Sequence, residues 1–502
     1  MKTTIPAGAR KPHLWEAVIS LLSLVLGVTI SIVLYGLDPQ VPMIVGVIVA
    51  SVIALRCGFS WKTIQGGMVR GVSAAVPAII ILLIVGILIG VWILAGIVPT
   101  IIYYGLELIS PSIFLPATLI ICSIASVATG TSWGTTATVG VALMGIGAGL
   151  GFPIPLVAGA VLSGAYFGDK LSPLSDTTNI AAAMTGVDVF KHVKHMSYTT
   201  GTAFGLTLII ETLISLNYGL DAGNLARIDQ IQTTLDSAFV ISPVLFLPLL
   251  LVLFVSYRKV PAIPGISLGA IAGVICAVSM QDADYESIIN AASFGYEAST
   301  NDEAVNELLT RGGLDSMMFS ISLIFTGMMF GGVMERTNQL KVVADKVLSY
   351  AKSTGSLIAS TAATGVAANI ILCDQYMAII MGARSFAPAY AERGLAPENL
   401  SRAVEDSATV TANLVPWNAG GAYQAATLGV PTIVYLPFNF FCWLSPIVTI
   451  VFGYMGWKIT RLDNVDTHSK AQEKTQEETP IDNTDTHDKK QEKTLEQTTK
   501  SE

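Results

Sequence analysis

The sequence predicts an all-α polytopic membrane protein: about 12 transmembrane helices in two repeats, with broken helices or hairpins at the site. Three observations carry this. The chain of 502 residues is 52% hydrophobic and only 13% charged, with a mean hydropathy of +0.62; soluble chains carry about 25% charge. Most of the stretch up to 460 consists of apolar runs near the roughly 20 residues that cross a bilayer as a helix. Two stretches, Thr129 to Asn179 and Thr364 to Asn418, place acids and hydroxyls inside that apolar sequence. A membrane β-barrel does not fit, because the runs are continuous and lack a two-residue alternation.

Taken in order, residues 1–13 form a short N-terminus with Arg10, Lys11 and His13. The first run is long and no convincing small-residue cleavage site follows it, so no cleavable signal peptide is expected. Spans follow at about 14–36 and 41–56, joined at Asp38-Pro39. Basic residues flank both ends of this hairpin and not its middle, which places the N-terminus in the cytoplasm. A run at about 72–98 contains Pro77. Tyr103, Tyr104 and Glu107 suggest an interfacial segment, and about 113–128 is a further span.

TGTSWGT at 129–135 is rich in glycine and hydroxyls and makes a poor uninterrupted helix. Broken backbone at membrane depth survives only inside protein or beside a wet cavity. Gly145, Gly147, Gly149 and Gly151 fit close helix packing. Asp188, Lys191, His192, Lys194 and His195 read as a solvated basic loop. Spans follow at about 196–217, 237–256 and 262–280, closing a first transmembrane half over 14–280. Glu211 reads as interfacial. Residues 281–312 form a hydrophilic helical linker. A second half covers 313–460, with spans resuming at about 315–334 and 354–373.

From Asp463 onward apolar residues almost vanish. DNVDTHSKAQEKTQE recurs as DNTDTHDKKQEKTLE about 19 residues later. This composition predicts a disordered tail over 461–502, cytoplasmic because Lys458 and Arg461 follow the last span. Much of the net charge of −8 lies there and says little about partners. The five cysteines fall within or at the ends of apolar runs without metal or disulfide spacing, and read as packing residues.

The halves share an outline. Thr129-Gly130 matches Thr364-Gly365, Met144-Gly145 matches Met381-Gly382, Asp169 matches Asp406, Ser172 matches Thr409 and Asp176 matches Asn413, at an offset near 235. Transporters use such repeats, with the site where discontinuous helices of the two halves meet.

Asp169, Lys170, Asp176, Asp374, Glu405 and Asp406 are the charges that the bilayer should exclude. Each acid at the centre of a span costs about 2.5–3.5 kcal/mol, so five carboxylates would cost on the order of 12–17 kcal/mol as an upper bound. Such groups are functional candidates facing a cavity or ion path. Nearby Ser172, Ser175, Thr177, Thr178, Asn179, Thr409, Thr411, Asn413 and Asn418 supply neutral oxygens for a hard cation. A carboxylate that binds Na⁺ when ionised and H⁺ when neutral makes the two compete, which is the minimum machinery of antiport. Plainer readings stand beside these: Asp169-Lys170 as a wet loop, Asp176 as a helix cap, Glu405 on an interfacial segment. Asp374, well inside apolar sequence, has the weakest plain reading.

Two other classes fit less well. Gly130-Thr131-Ser132-Trp133-Gly134 matches the GxSxG nucleophile pattern, which needs a strand–turn–helix setting; here it lies between transmembrane runs with no histidine in membrane sequence to serve as base. The chain also lacks HExxH, a P-loop and GxGxxG. A passive channel would not need titratable acids in both halves.

GTSWGT at 130–135, GDKLSPLSDTTNIA at 168–181 and TANLVPWNAGGAY at 411–423 together resemble the NhaC-type Na⁺/H⁺ antiporter family. The likeness covers nearly all of 14–460 and leaves out the repeated tail. It implies a bacterial plasma-membrane protein exchanging cytoplasmic Na⁺ for external protons, with paired hairpin half-sites. By motif it implies Ser132, Asp169, Ser172, Asp176 and Thr177 in the first half, and Asp374, Asp406, Thr409, Asn413 and Asn418 in the second, with Na⁺ on Asp176 and Asp374. The family also holds malate–lactate antiporters coupled to Na⁺ and H⁺, and the motifs leave that activity open. For an organic anion the cationic candidates are Lys170, Arg384 and Arg402. Expected partners are thus Na⁺, H⁺, small carboxylates in the alternative, and the lipid bilayer. No nucleic acid and no cofactor beyond the transported ions are expected, and a homodimer stays open.

Overall fold

The computed structural model describes residues 8–218, 222–258 and 260–462. Residues 463–502, where the tail was expected to be disordered, lie outside the described residues, as do residues 1–7. Among the described residues the regular secondary structure is helical, with two isolated bridges besides, Tyr296–Arg311 and Leu395–Arg461.

The helices are α1 (Leu14–Thr29), α2 (Gln40–Arg56), α3 (Trp61–Leu94), α4 (Ile97–Leu108), α5 (Phe114–Thr129), α6 (Ser132–Thr135), α7 (Val141–Gly149), α8 (Ile154–Leu171), α9 (Asp176–Thr185) and α10 (Val189–Ser215). After them come α11 (Ala222–Ala238), α12 (Leu247–Tyr257), α13 (Ala262–Met280), α14 (Tyr285–Phe294) and α15 (Glu303–Leu309). The chain continues through α16 (Met318–Arg336), α17 (Gln339–Leu348), α18 (Thr354–Leu372), α19 (Gln375–Glu392) and α20 (Pro397–Val404). It closes with α21 (Ala419–Leu428), α22 (Thr432–Tyr435) and α23 (Phe440–Met455).

Large side chains such as Leu22, Leu26, Ile48, Val52, Ile209, Leu213, Ile271 and Ile275 face outward. An apolar surface on this scale belongs against lipid rather than water. The protein is therefore a multi-pass membrane protein. Among the described residues six helices are long and apolar enough to cross a bilayer, or eight if two bent pairs count as spans. That is fewer than the twelve expected. One reason is that α9 and α21, ten residues each, are too short to cross alone.

Other boundaries moved as well. The run at 72–98 is the end of α3, whose 34 residues extend about 51 Å at 1.5 Å per residue. The run at 237–256 is broken: Arg227–Ala238 and Pro243–Tyr257 meet at 95°. The basic segment after Asp188 is not a loop. Asp188 caps α10 through Phe190 N and Lys191 N, and both histidines are buried, His192 beside Ser401 Oγ at 2.8 Å and His195 beside the Lys458 carbonyl at 3.1 Å. Glu211 is not interfacial; it is fully buried on α10 with neither oxygen hydrogen-bonded. Residues 281–312 are more than a connection, since Gln281 Nε2 donates to Ala95 O at 3.3 Å and a Cβ on Gly90 of α3 would run into the Ala291 carbonyl.

Close glycine contacts set the central packing. A Cβ on Gly71 of α3 would run into the Met328 carbonyl of α16, and one on Gly332 into the Gly67 carbonyl. Only small residues let two backbones approach this closely.

Candidate functional site

The site is built from two helix breaks of the same design. α5 ends at Gly130, left-handed at φ 71°, and Thr131 then caps α6 from an extended conformation (φ −149°, ψ 123°), accepting from Gly134 N. α18 ends at Cys373, left-handed at φ 58°, and Asp374 caps α19 from φ −149°, ψ 132°, accepting from Met377 N. A second pair of caps follows: Ser175 starts α9 and Asn418 starts α21. Both pairs stand 243 residues apart (374 − 131 and 418 − 175).

The same spacing relates hydrogen bonds. Ser126 Oγ donates to Ala165 O at 2.6 Å, and Asn369 Nδ2 donates to Ala408 O. In a second pair the acceptors keep the spacing while the donors stand 245 apart (417 − 172): Ser172 Oγ donates to Val127 O at 2.8 Å, and Trp417 Nε1 donates to Ile370 O at 2.9 Å. Residues 126, 127 and 165 plus 243 give 369, 370 and 408. This corrects the matching of Thr129-Gly130 with Thr364-Gly365. Leu171-Ser172-Pro173-Leu174-Ser175 aligns instead with Leu414-Val415-Pro416-Trp417-Asn418.

The breaks interlock. Tyr423 of α21 donates to the Trp133 carbonyl at 3.0 Å and stacks on its ring at 4.1 Å. Reciprocally, Tyr376 of α19 donates to Asp176 Oδ2, at the start of α9, at 2.7 Å. Between them lies a cavity of about 400 Å³, lined by Thr131, Ser132, Asp169, Asp176, Asp374 and Tyr376 and by the Pro77 region of α3. Asp169 is buried; its Oδ2 accepts from Ser132 Oγ at 2.7 Å, while Oδ1 has no hydrogen-bond partner. Asp374 is buried except for a 5% exposed edge. Asp176 is the exposed acid, its Oδ1 accepting from Thr177 N at 2.8 Å. Among the described residues no three acid, histidine or cysteine side chains meet at metal-binding range. The three aspartates therefore ring the cavity rather than converge in it.

Of the expected residues, Ser132, Asp169, Asp176 and Asp374 come together here. The others do not line this cavity. Ser172 holds the α5 break, and Thr177 Oγ1 sits 3.0 Å from Ser175 Oγ, buried beside it. Asn413 accepts from Asn439 Nδ2 at 2.7 Å, and Asn418 Nδ2 donates to Asn369 O at 3.0 Å. Thr409 is buried with its hydroxyl unpartnered, as are both oxygens of Glu405. Glu405 and Thr409 belong to one π-helical turn, a deformation that favours functional positions.

Asp406 is fully occupied. Its Oδ1 lies 2.5 Å from Lys170 Nζ, both side chains having no exposure. Its Oδ2 accepts from Thr199 and Thr449, each at 2.6 Å. Lys170 also donates to Ser445 at 3.0 Å. This pair ties α8, α10 and α23 to the turn after α20. Lys170 is thereby withdrawn from the anion candidates. Arg402, 1% exposed, donates to the Lys458 carbonyl at 3.0 Å, and Arg384 is on the surface.

Sequence reasoning missed Tyr376 and Gln375, which follow Asp374 directly and could have been read as part of its break. It also missed Thr199 and Thr449, single hydroxyls in apolar runs that carry no local signal.

The sequence pattern of the Na⁺/H⁺ antiporter family matches residues 164–457. Over 450 residues the chain is 42% identical to the malate-2H⁺/Na⁺-lactate antiporter of Bacillus subtilis (strain 168), covering 89% of this chain and 96% of that protein. It is 38% identical to the Na⁺/H⁺ antiporter NhaC of Alkalihalophilus pseudofirmus, over 88% of this chain and 96% of the relative. It is also 38% identical to an uncharacterized Na⁺/H⁺ antiporter of Haemophilus influenzae, over 92% of this chain and 100% of the relative. With a match over more than half its length and near-full-length relatives of this identity, the chain belongs to the Na⁺/H⁺ antiporter family, as its NhaC-type motifs implied.

Proposed function

We propose that the protein is a secondary transporter that exports Na⁺ in exchange for H⁺ by alternating access. The observation that carries this reading is the ring of Asp169 at the end of α8, Asp176 at the start of α9 and Asp374 at the start of α19 about one cavity that the break at Thr131 also lines. A hard cation takes oxygen ligands, and helix breaks expose backbone carbonyls beside them. Protonation of the same carboxylates removes their charge, so Na⁺ and H⁺ cannot both occupy them. No cofactor enters this scheme.

The reading includes two structural repeats related by the 243-residue offset, about 12 membrane crossings when broken helices are counted, a bacterial plasma membrane, and both termini in the cytoplasm. Ser132, Asp169, Asp176 and Asp374 form the ion site. Thr177, Ser172, Asn418 and Asn413 hold the breaks in shape, and Asp406 with Lys170 locks the scaffold. A homodimer is compatible with this reading and is not required by it.

A second reading, Na⁺- and H⁺-coupled exchange of small organic acids, is favoured by Arg227 and Arg311 on a separate cavity, neither of which has an ion pair among the described residues. Collapse of a pH gradient in energised inverted vesicles tests both readings. Collapse on adding NaCl alone supports cation exchange. Collapse only with malate or lactate present supports the second.

A further inference from the structure

The segment around Arg311 packs on α3 through glycines, and two cavities open beside it. One of about 700 Å³ runs along α21. The other, about 560 Å³, lies between the end of α7, α11, α15 and the turn at Gly429–Pro431. Arg311 lines both. Among the described residues its guanidinium has neither an ion pair nor a hydrogen bond to protein, and the same holds for Arg227, which lines the second cavity. Glu307 is the acid on that cavity, not within ion-pair distance of either arginine.

Two guanidiniums against one carboxylate make this a poor place for a cation. Arg311 is half-buried, and withdrawing an unpaired guanidinium from water is a cost that a bound anion would offset. A guanidinium stays charged at any physiological pH and offers a planar fork matched to a carboxylate. The cavity volume is in the range of ordinary small-molecule sites.

We infer that this cavity docks a small dicarboxylate, with Arg311 and Arg227 as its anion-binding groups and Glu307 opposing the charge. This deepens the organic-acid reading and does not depend on whether Na⁺ and H⁺ exchange.

The test is calorimetric titration of the full-length purified protein with malate, at constant Na⁺ and ionic strength, with sulfate as the control anion. Malate binds the wild-type protein. Arg311→Gln weakens it about tenfold or more, the scale of a lost charge-assisted hydrogen bond, and Arg227→Gln, at an exposed position, weakens it by a few-fold. Arg311→Lys recovers part of the affinity, since it keeps the charge and loses the fork. Glu307→Gln tightens binding. The opposite sign separates a charge effect from a damaged fold, which would weaken all variants alike. No malate binding, weakening in all variants including Glu307→Gln, or sulfate binding as tight as malate would each overturn the proposal. Na⁺-driven pH-gradient collapse, measured on the wild-type protein without carboxylate, reports separately on cation exchange. Its absence would sink that reading and leave the malate test standing.

Discussion

Asp406→Asn should damage the fold, and transport only in consequence. Lys170 and Asp406 are both excluded from solvent and 2.5 Å apart. At an effective dielectric near 20 their attraction is about 7 kcal/mol. Burying two charges takes back most of that, so the intact pair contributes little net stability. Removing one partner is different. It leaves a buried ammonium without a counter-charge, at about 3–5 kcal/mol, and deprives Thr199 and Thr449 of an ionised acceptor. Thermal denaturation in detergent, followed by the monodisperse fraction after heating, reads this directly. Asp406→Asn and Lys170→Met should each lower the midpoint sharply. The double variant should regain much of the loss, because both charges leave together. A wild-type midpoint for Asp406→Asn combined with abolished Na⁺ exchange would refute this, and return Asp406 to the ion site.

Three further outcomes follow from the geometry. Asp374→Asn should keep the wild-type midpoint, because asparagine caps a helix as well as aspartate, yet lose Na⁺ exchange by at least about 100-fold; retained exchange in vesicles would remove Asp374 from the site. Gly71→Leu should force α3 and α16 apart at the Met328 carbonyl and cost at least about 1–3 kcal/mol, seen as a lower midpoint and reduced yield. Glu211→Gln should leave the midpoint unchanged or raise it, since neither carboxylate oxygen has a hydrogen-bond partner to lose; a fall of several degrees would reveal a role for the carboxylate that the packing does not show.

The break at Gly130 was legible because Gly-Thr-Ser cannot continue an apolar helix comfortably. Asp374 was legible because an acid that deep needs a cavity. The register between the halves was not. Thr-Gly and Met-Gly dipeptides recur wherever helices pack closely, so they match at an offset near 235, whereas the helix caps stand 243 apart. The informative positions were caps and breaks, which need a backbone conformation rather than one residue type: Thr131 and Asp374 do the same work with different side chains. His192 and His195 were misread because a run of lysines and histidines looks solvated. Their burial against Ser401 and the Lys458 carbonyl depends on segments 209 and 263 residues away. Asp406 looked like Asp169 in sequence. Only the packing of α8, α10 and α23 around it separates an acid locked by lysine from one facing a cavity.

The central claim is that the aspartates around the cavity between the two breaks exchange Na⁺ for H⁺. The most direct measurement is Na⁺-driven collapse of an imposed pH gradient in proteoliposomes, comparing the wild-type protein with Asp374→Asn at matched insertion. The account predicts collapse with Na⁺ for the wild type and none for the variant. Equal collapse by both, or none by the wild type under any cation, would contradict it.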